Sequence, residues 1–236
     1  MVGSLGWVLL MNDLEILADL ELRELGEVYI QVPCKPPSIT SKGKKKKVKE
    51  IIKELIRIYD FTFTGDVKIE IDWFVDEQSR YESDSTPDID NTTKPILDAL
   101  CGKNGILIDD CQVQSVSSIW LDRYKRNENF SIRIKPHFFG ERIKKNGLVF
   151  IEYSKGLCFP FNFNGIPYDV QLMVIDKIDE MITARKKMME MGVDYYVASG
   201  VMPSQRVFHI SKIKDFPIED FESFKEKIKR NISKDG

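Results

Sequence analysis

Alternation of apolar and polar residues predicts the first strands of the chain. Residues 27–32 and 66–75 alternate in this way, and each stretch therefore predicts a strand with one buried face. Between them, apolar residues recur at helical spacing over residues 48–59 and predict an amphipathic helix. Residues 12–25 fit both helical and alternating spacing, so the type of that element stays open.

The pattern continues with a loop, a helix and two further strands. Residues 76–87 are polar and rich in turn formers, which predicts a loop, and residues 92–100 predict a short helix. Residues 113–124 and 130–134 predict two strands that pair as a hairpin. The order strand, helix, strand, helix, hairpin indicates an α+β domain over residues 1–136, built on a small mixed β-sheet with helices.

Residues 137–236 predict an additional α+β region of unknown role. The expected elements are a hairpin (residues 148–153 with 157–163), a long helix (167–191), two strands (195–197 and 207–210) and a closing helix (217–232). A proline is favoured in the first turn of a helix, so Pro167 indicates where the long helix begins, and Gly192 indicates where it ends.

Composition narrows the class of protein. The 236 residues are 42% hydrophobic and 31% charged, which is typical of a globular chain and excludes global disorder. No apolar run approaches the ~18–20 residues that span a bilayer, so we expect a cytoplasmic protein without signal peptide or membrane anchor. The four cysteines are far apart and form no C-x-x-C pair, which predicts reduced thiols and no zinc site.

The net charge of −2 hides a strong asymmetry along the chain. Residues 40–58 carry eight basic and two acidic side chains, residues 60–98 carry eleven acids and three bases, and residues 121–145 carry eight bases and three acids. An acidic centre between basic segments suits a metal site within a surface that binds a polyanion.

The basic segments supply the candidate DNA contacts. These are Lys44, Lys45, Lys46, Lys47, Arg123, Lys125 and Arg126. The first four lie in a polar Ser/Lys/Gly stretch that predicts a loop, and a solvated loop with no ligand is an equally good interpretation of the lysine run alone.

The candidate chemistry lies in residues 87–113. In an extended chain Asp88 and Asp90 point the same way, just ahead of the predicted helix, and Lys94 lies about one turn into that helix. A strand beginning at Asp109-Asp110 can bring a third carboxylate alongside them. Three converging carboxylates form a hard oxygen site suited to Mg²⁺ or Mn²⁺, and a metal there can assist phosphodiester hydrolysis while Lys94 holds the phosphate.

A structural interpretation of the same residues is also open. Aspartate and asparagine are favoured at helix N-termini, so Asp90 or Asn91 alternatively caps the helix, and Asp109-Asp110 alternatively forms a turn. Asp98 lies two turns from the entry loop, and we assign it to the helix surface or to a structural contact.

The run Asp-Ile-Asp-Asn at 88–91, Lys94, Leu-Asp-Ala-Leu at 97–100 and Asp-Asp-x-Gln-Val at 109–113 resembles the RusA-type Holliday junction resolvases. The resemblance extends over residues of about 27–136. It implies a Mg²⁺-dependent endodeoxyribonuclease of bacteria or phages that nicks four-way DNA junctions as a homodimer in recombination and repair. It also implies that Asp88, Asp90 and Asp110 hold the metal, and that Lys94 is catalytic; Asp109 matches the first acid of the pair, with a less defined role.

Other classes of function fit less well. A PD-(D/E)xK nuclease needs an acid-x-Lys on a later strand, which is absent after Asp88, and an HNH nuclease needs histidines, of which the chain has only two. A non-catalytic DNA- or partner-binding module on the same fold stays open. Metal-dependent cleavage of a synthetic junction would distinguish the enzyme from the module.

Overall fold

The computed structural model describes residues 26–34, 42–82, 89–122, 129–138, 141–203 and 206–235. The chain divides into two compact units, residues 1–142 and 143–236. Mixed helices and sheets confirm the α+β class. Within the described residues, no helix is both long enough and apolar enough to cross a membrane.

The described part of the first unit contains five strands and three helices. The strands are β1 (Val28–Val32), β2 (Phe61–Phe63), β3 (Val67–Val75), β4 (Val113–Asp122) and β5 (Asn129–Pro136), and the helices are α1 (Lys42–Leu55), α2 (Glu77–Glu82) and α3 (Ile89–Leu100). A sixth strand, β6 (Arg142–Lys144), lies where the chain divides. The strands predicted at residues 27–32 and 66–75 are confirmed by β1 and β3.

Four strands of this unit form a mixed sheet in the order β1-β5-β3-β4. β5 pairs antiparallel with both β1 and β3, whereas β4 pairs parallel with β3. The predicted hairpin of β4 with β5 is therefore wrong. The strictly alternating β3 has a fully buried face and takes the central position, which separates β4 from β5.

The core of the first unit lies between this sheet and two helices. One face of β3 contributes Val67, Ile69, Ile71 and Trp73, all with no exposed surface. From α1 and α3, the apolar stripe that belongs to the same cluster is Val48, Ile52, Ile96, Ala99 and Leu100. The last turns of α3 pack into the core and fix the C-terminal end of the helix against the sheet. The chain continues from this end towards residue 109.

Two other predictions for this unit need correction. The run Lys44 to Lys47 was predicted as a loop but lies inside α1. The apolar stripe of this helix begins at Val48, and the helix extends a further turn and a half towards its N-terminus. The loop predicted at residues 76–87 contains α2 instead.

The second unit is a four-stranded sheet with helices. Its strands β7 (Leu148–Ser154), β8 (Leu157–Asn162), β9 (Phe208–His209) and β10 (Ile218–Asp220) lie in the order β10-β7-β8-β9, and its helices are α4 (Tyr168–Glu190), α5 (Tyr195–Ser199) and α6 (Phe221–Asp235). The predicted hairpin of residues 148–163 is confirmed, with Gly156 at φ +76° in the turn. The strand predicted at residues 195–197 is wrong, because Asp194 caps a helix there.

The second unit has its own hydrophobic core. Ile151 of β7 packs with Ile175 and Ile178 of α4 and with Phe221 and Phe224 of α6. Phe161 and Phe163 lie against this cluster, with their rings stacked 5.3 Å apart. These aromatic side chains, at the end of β8 and just beyond it, are thus packed against the core of the second unit.

Candidate active site

The candidate site is formed by α3 and by the turn that follows the loop after it. Leu107 N–H donates to the Leu100 carbonyl (3.0 Å), and Phe63 N–H donates to the Ile106 carbonyl (2.9 Å). The loop can close this tightly because Gly105 has no side chain; a Cβ there would overlap the Leu100 carbonyl. These contacts return the chain to the end of α3 and place residues 109 and 110 beside the helix.

Lys94 is the centre of the polar contacts at this point. Its Nζ lies 2.9 Å from Oδ2 of Asp110 and 3.3 Å from Oδ1 of Asp98, one turn further along α3. The Lys94 side chain is 66% exposed, so the three groups lie at the surface, open to a large ligand. The structure thus brings together two of the candidate site residues, Lys94 and Asp110.

The two carboxylates raise the pKa of Lys94 to about 12. The hydrogen bond with Asp110 is the largest cause, and the hydrogen bond with Asp98 comes next. Lys94 is therefore a permanent cation at neutral pH and is not a general base.

Asp109 and Asp110 occupy a helical turn, where the sequence predicted the beginning of a strand. Residues Asp110–Gln112 form one turn of 3₁₀-helix, and β4 begins only at Val113. Asp109 is the N-cap of this turn, and its Oδ1 accepts a hydrogen bond from Cys111 N–H (3.0 Å). The strand expectation is wrong because this cap stabilises a turn, which was the alternative interpretation.

The environment of Cys101 reports the electrostatic character of this region. The pKa of the Cys101 thiol is raised to about 12, first by burial and then by the negative charges of Asp110, Asp109 and Asp98. Three carboxylates therefore lie near one side chain at the end of α3, in a region of negative potential.

Comparison with protein families identifies the segment that contains this site. Residues 29–135 match the family described as endodeoxyribonuclease RusA. The match covers less than half of the chain, so it is a similarity of this segment to that family. A search of curated proteins found no match to the chain. We refer to the matched residues 29–135 as the RusA domain; they extend from β1 to β5 and contain Lys94, Asp98, Asp109 and Asp110.

The remaining predicted site residues of the RusA domain are placed only in part. Asp88 lies outside the described residues, as do Arg123, Lys125 and Arg126. Asp90 lies in the first turn of α3, one turn before Lys94, and its side chain is not described. The sequence placed Asp90 ahead of the helix; the helix in fact begins at Ile89, so that expectation is wrong.

The donor chemistry of the RusA domain fits a hard divalent cation. Two carboxylates from different elements, Asp98 and Asp110, already converge on a single positive charge, the Lys94 ammonium. Carboxylate oxygens are the ligands that Mg²⁺ and Mn²⁺ prefer. Within the described ranges, however, no three Asp, Glu, His or Cys side chains are arranged to hold a metal.

One residue at the base of the site was missed from the sequence, whereas the assignment of Asp98 was correct. Asp98 was assigned to the helix surface or to a structural contact, and it lies exposed on α3 in an ion pair with Lys94, four residues away. Gln112 was not considered at all, although it is buried and spans the base of the acidic turn. Its place in Asp-Asp-x-Gln-Val was visible, but its contacts depend on residues far away in sequence.

Proposed function

We propose that this protein is a Mg²⁺-dependent endodeoxyribonuclease that nicks four-way DNA junctions in recombination and repair. The observation that supports it is the contact of Lys94 with Asp110, since these residues of the RusA domain come from separate elements and form one charged cluster at the surface. The RusA family name supplies the reaction class, and the carboxylate cluster supplies a place for the metal.

We assign the metal to Asp88, Asp90 and Asp110, with Mn²⁺ as a possible replacement for Mg²⁺. Asp109 is less suited to be a ligand because its Oδ1 already accepts a hydrogen bond from the Cys111 backbone. When bound, the metal supplies Lewis-acid activation of the attacking water and charge stabilisation for the leaving 3′ oxygen.

The role that we assign to Lys94 is electrostatic. Its pKa of about 12 keeps the ammonium charged throughout the pH range in which DNA is stable, so it contributes a positive charge and hydrogen-bond donors. An ammonium beside the metal site is suited to hold a non-bridging oxygen of the scissile phosphate and to stabilise the charge that develops on it. Asp98 then orients Lys94 from the same face of α3.

The basic segments are assigned to the DNA backbone. Lys46 and Lys47 are exposed on α1, with 81% of the Lys46 side chain accessible, and Lys44 and Lys45 belong to the same turn and a half of helix. We extend this surface to Arg123, Lys125 and Arg126 on the basis of charge alone. Lysines that contact phosphates provide affinity without reading bases.

A homodimer and a cytoplasmic, bacterial or phage setting complete the proposal. A four-way junction has two equivalent strands to be cut, and two copies of one site related by a two-fold axis suit such a substrate. Both statements depend on the family resemblance.

The test is cleavage of a synthetic four-way junction by the full-length protein. We expect symmetric nicks with Mg²⁺ and none in EDTA, and the Asp110→Asn variant should bind the junction in EDTA yet not cut it with Mg²⁺. A linear duplex of the same arm sequence is the matched substrate control. Tight junction binding by the wild type without cleavage under Mg²⁺ or Mn²⁺ would contradict the proposal and support a non-catalytic binding module.

A further inference from the structure

Gln112 is a buried amide at the base of the acidic turn. It is the last residue of the 3₁₀-turn Asp110–Gln112 and has no exposed surface. A primary amide offers two N–H donors and an oxygen with two lone pairs, and a buried amide loses free energy for each of these that stays unpaired. The partners of Gln112 therefore determine how the turn can be oriented.

All the hydrogen-bonding capacity of this amide is used. Oε1 accepts from Ile108 N–H (2.7 Å) and Asp109 N–H (3.2 Å), directly before the acidic pair. Nε2 donates to the carbonyls of Phe63 (2.9 Å), the last residue of β2, and Gly65 (2.8 Å), in the turn from β2 to β3. One side chain thus joins the turn to a segment about fifty residues away in sequence.

The segment that Nε2 contacts is itself fixed. Thr64 N–H donates to the Glu141 carbonyl (2.8 Å), and a Cβ at Gly65 would overlap the Glu141 carboxylate. Phe63 is fully buried and pairs with the loop before the site through Leu107. The amide of Gln112 is therefore held by a rigid backbone on one side and holds the backbone of Asp109 on the other.

We propose that Gln112 is a positioning residue that orients Asp109-Asp110 for metal binding. The Asp109 side chain caps the turn, and the Gln112 side chain in return accepts from the Asp109 N–H. These two residues thus form a capping box that holds the turn in shape. The direction in which Asp110 projects towards Lys94 follows from this shape. The proposal rests on the assignment of Asp110 as a metal ligand, and Gln112 itself contacts neither metal nor DNA.

The decisive variant is Gln112→Met, which keeps the length of the side chain and removes all four hydrogen bonds. Mn²⁺ binding to the full-length protein without DNA is followed by electron paramagnetic resonance. Loss of a residue that orients a metal ligand typically weakens metal binding about 10–100-fold, and we expect a shift of the Mn²⁺ midpoint in that range. The midpoint for cleavage should move by the same factor, with junction binding in EDTA unchanged.

Two controls separate positioning from a loss of stability. Gln114→Met changes an exposed glutamine two residues further along, on β4, and should leave the midpoint unchanged. Ile30→Ala destabilises the same core from β1 and makes no contact with the turn, so it should reduce the folded fraction without moving the midpoint of the folded protein. Unfolding temperatures are measured for all variants.

The outcomes are distinguishable. An unchanged Mn²⁺ midpoint in folded Gln112→Met would overturn the positioning role; if that variant does not fold, the same titration on Gln112→Asn, whose shorter amide cannot reach both sets of partners, decides in the same way. If the wild-type protein binds no Mn²⁺, or binds it without cleaving a junction, the proposed function fails and not merely the role of Gln112.

Discussion

Asp109 and Asp110 are neighbours in sequence with different contacts. Asp110 reaches across to Lys94, whereas Asp109 bonds back to its own turn. The difference does not come from the two faces of a strand, since neither residue is in one. It comes from the 3₁₀-turn, in which the N-cap side chain is committed to the backbone and the next side chain is free to project outwards.

We predict that Asp110→Asn is far more damaging than Asp109→Asn. Asparagine caps a helix about as well as aspartate, so Asp109→Asn should keep both fold and cleavage nearly normal. Asp110→Asn removes a charged ligand and should slow Mg²⁺-dependent nicking at least about 100-fold. Single-turnover cleavage and thermal unfolding of both variants provide the measurement; the reverse order of damage would contradict the assignment of Asp110.

A second prediction concerns the competition between Lys94 and the metal. The ammonium offsets the charge of Asp98 and Asp110, so Lys94→Met should remove this competing cation and tighten Mn²⁺ binding by about 2–5-fold, the scale of an exposed ion pair. Cleavage should nevertheless be lost because the phosphate has lost its cation. Weaker Mn²⁺ binding in Lys94→Met would show that the lysine does not share the site with the metal, and Lys103→Met, an exposed lysine in the loop after α3, is the matched control.

At this scale, residue type and spacing in the sequence pointed to Lys94 and Asp110, and the structure brings these two side chains into contact. Their roles in binding and catalysis stay predictions. Gln112 could not be found in this way, because its partners at residues 63 and 65 are distant in sequence and only the closed loop brings them near.

At the scale of elements, the helical state of the lysine run changes what it can do. Four consecutive residues of an α-helix point around its whole circumference, about 100° apart, so Lys44 to Lys47 cannot all face one DNA strand. Val48 and Ile52 face the core, and among the described side chains of the run Lys46 and Lys47 are exposed, whereas Lys45 is half-buried. The element therefore offers about two phosphate contacts, where a loop could have offered four.

We predict that Lys46→Ala combined with Lys47→Ala lowers the slope of log affinity against log salt by about 1.8, or roughly 0.9 for each lost phosphate contact. Alanine favours helix, so α1 should persist. The matched control is Lys186→Ala with Lys187→Ala, an adjacent exposed pair on α4 of the second unit. Fluorescence anisotropy of a labelled junction at several salt concentrations gives the slope, and an equal slope for the wild type and the α1 variant would exclude this pair from the DNA-binding surface.

Strand pairing was the least predictable part of the elements. Strand β3 was predicted correctly because the alternation of apolar and polar residues is a local property of the sequence. The predicted hairpin of β4 with β5 is wrong because strand pairing depends on which strand lies inside the sheet with a neighbour on each side. Residues 113–122 show little alternation, so the sequence did not indicate that β4 lies at the edge of the sheet.

At the scale of the whole molecule, each unit has its own core. The cluster around Trp73 contains residues of the first unit alone, and the cluster around Ile178 contains residues of the second alone. Independent cores are a requirement for independent folding.

We therefore predict that a chain ending at Lys145, which retains all of β6, folds cooperatively. Circular dichroism should show a single thermal transition, and Mn²⁺ should bind with the midpoint of the full-length protein, because every proposed ligand precedes residue 143. The matched control is the full-length chain carrying Ile178→Ala, which weakens the core of the second unit only. A truncated chain that is unfolded would show that the first unit depends on the second.

The position of β5 in the sheet has a consequence for biosynthesis. β1 pairs with β5, which leaves the ribosome about a hundred residues later, or about 5–20 s at usual rates of translation. Throughout that interval the apolar face of Val28, Ile30 and Val32 lacks the strand that will adjoin it. The nascent chain can therefore bind chaperones or form wrong strand pairs until β5, the last strand of the sheet, emerges. A pause in translation after β5 would give β1 and β5 time to pair before the residues that follow can compete with them.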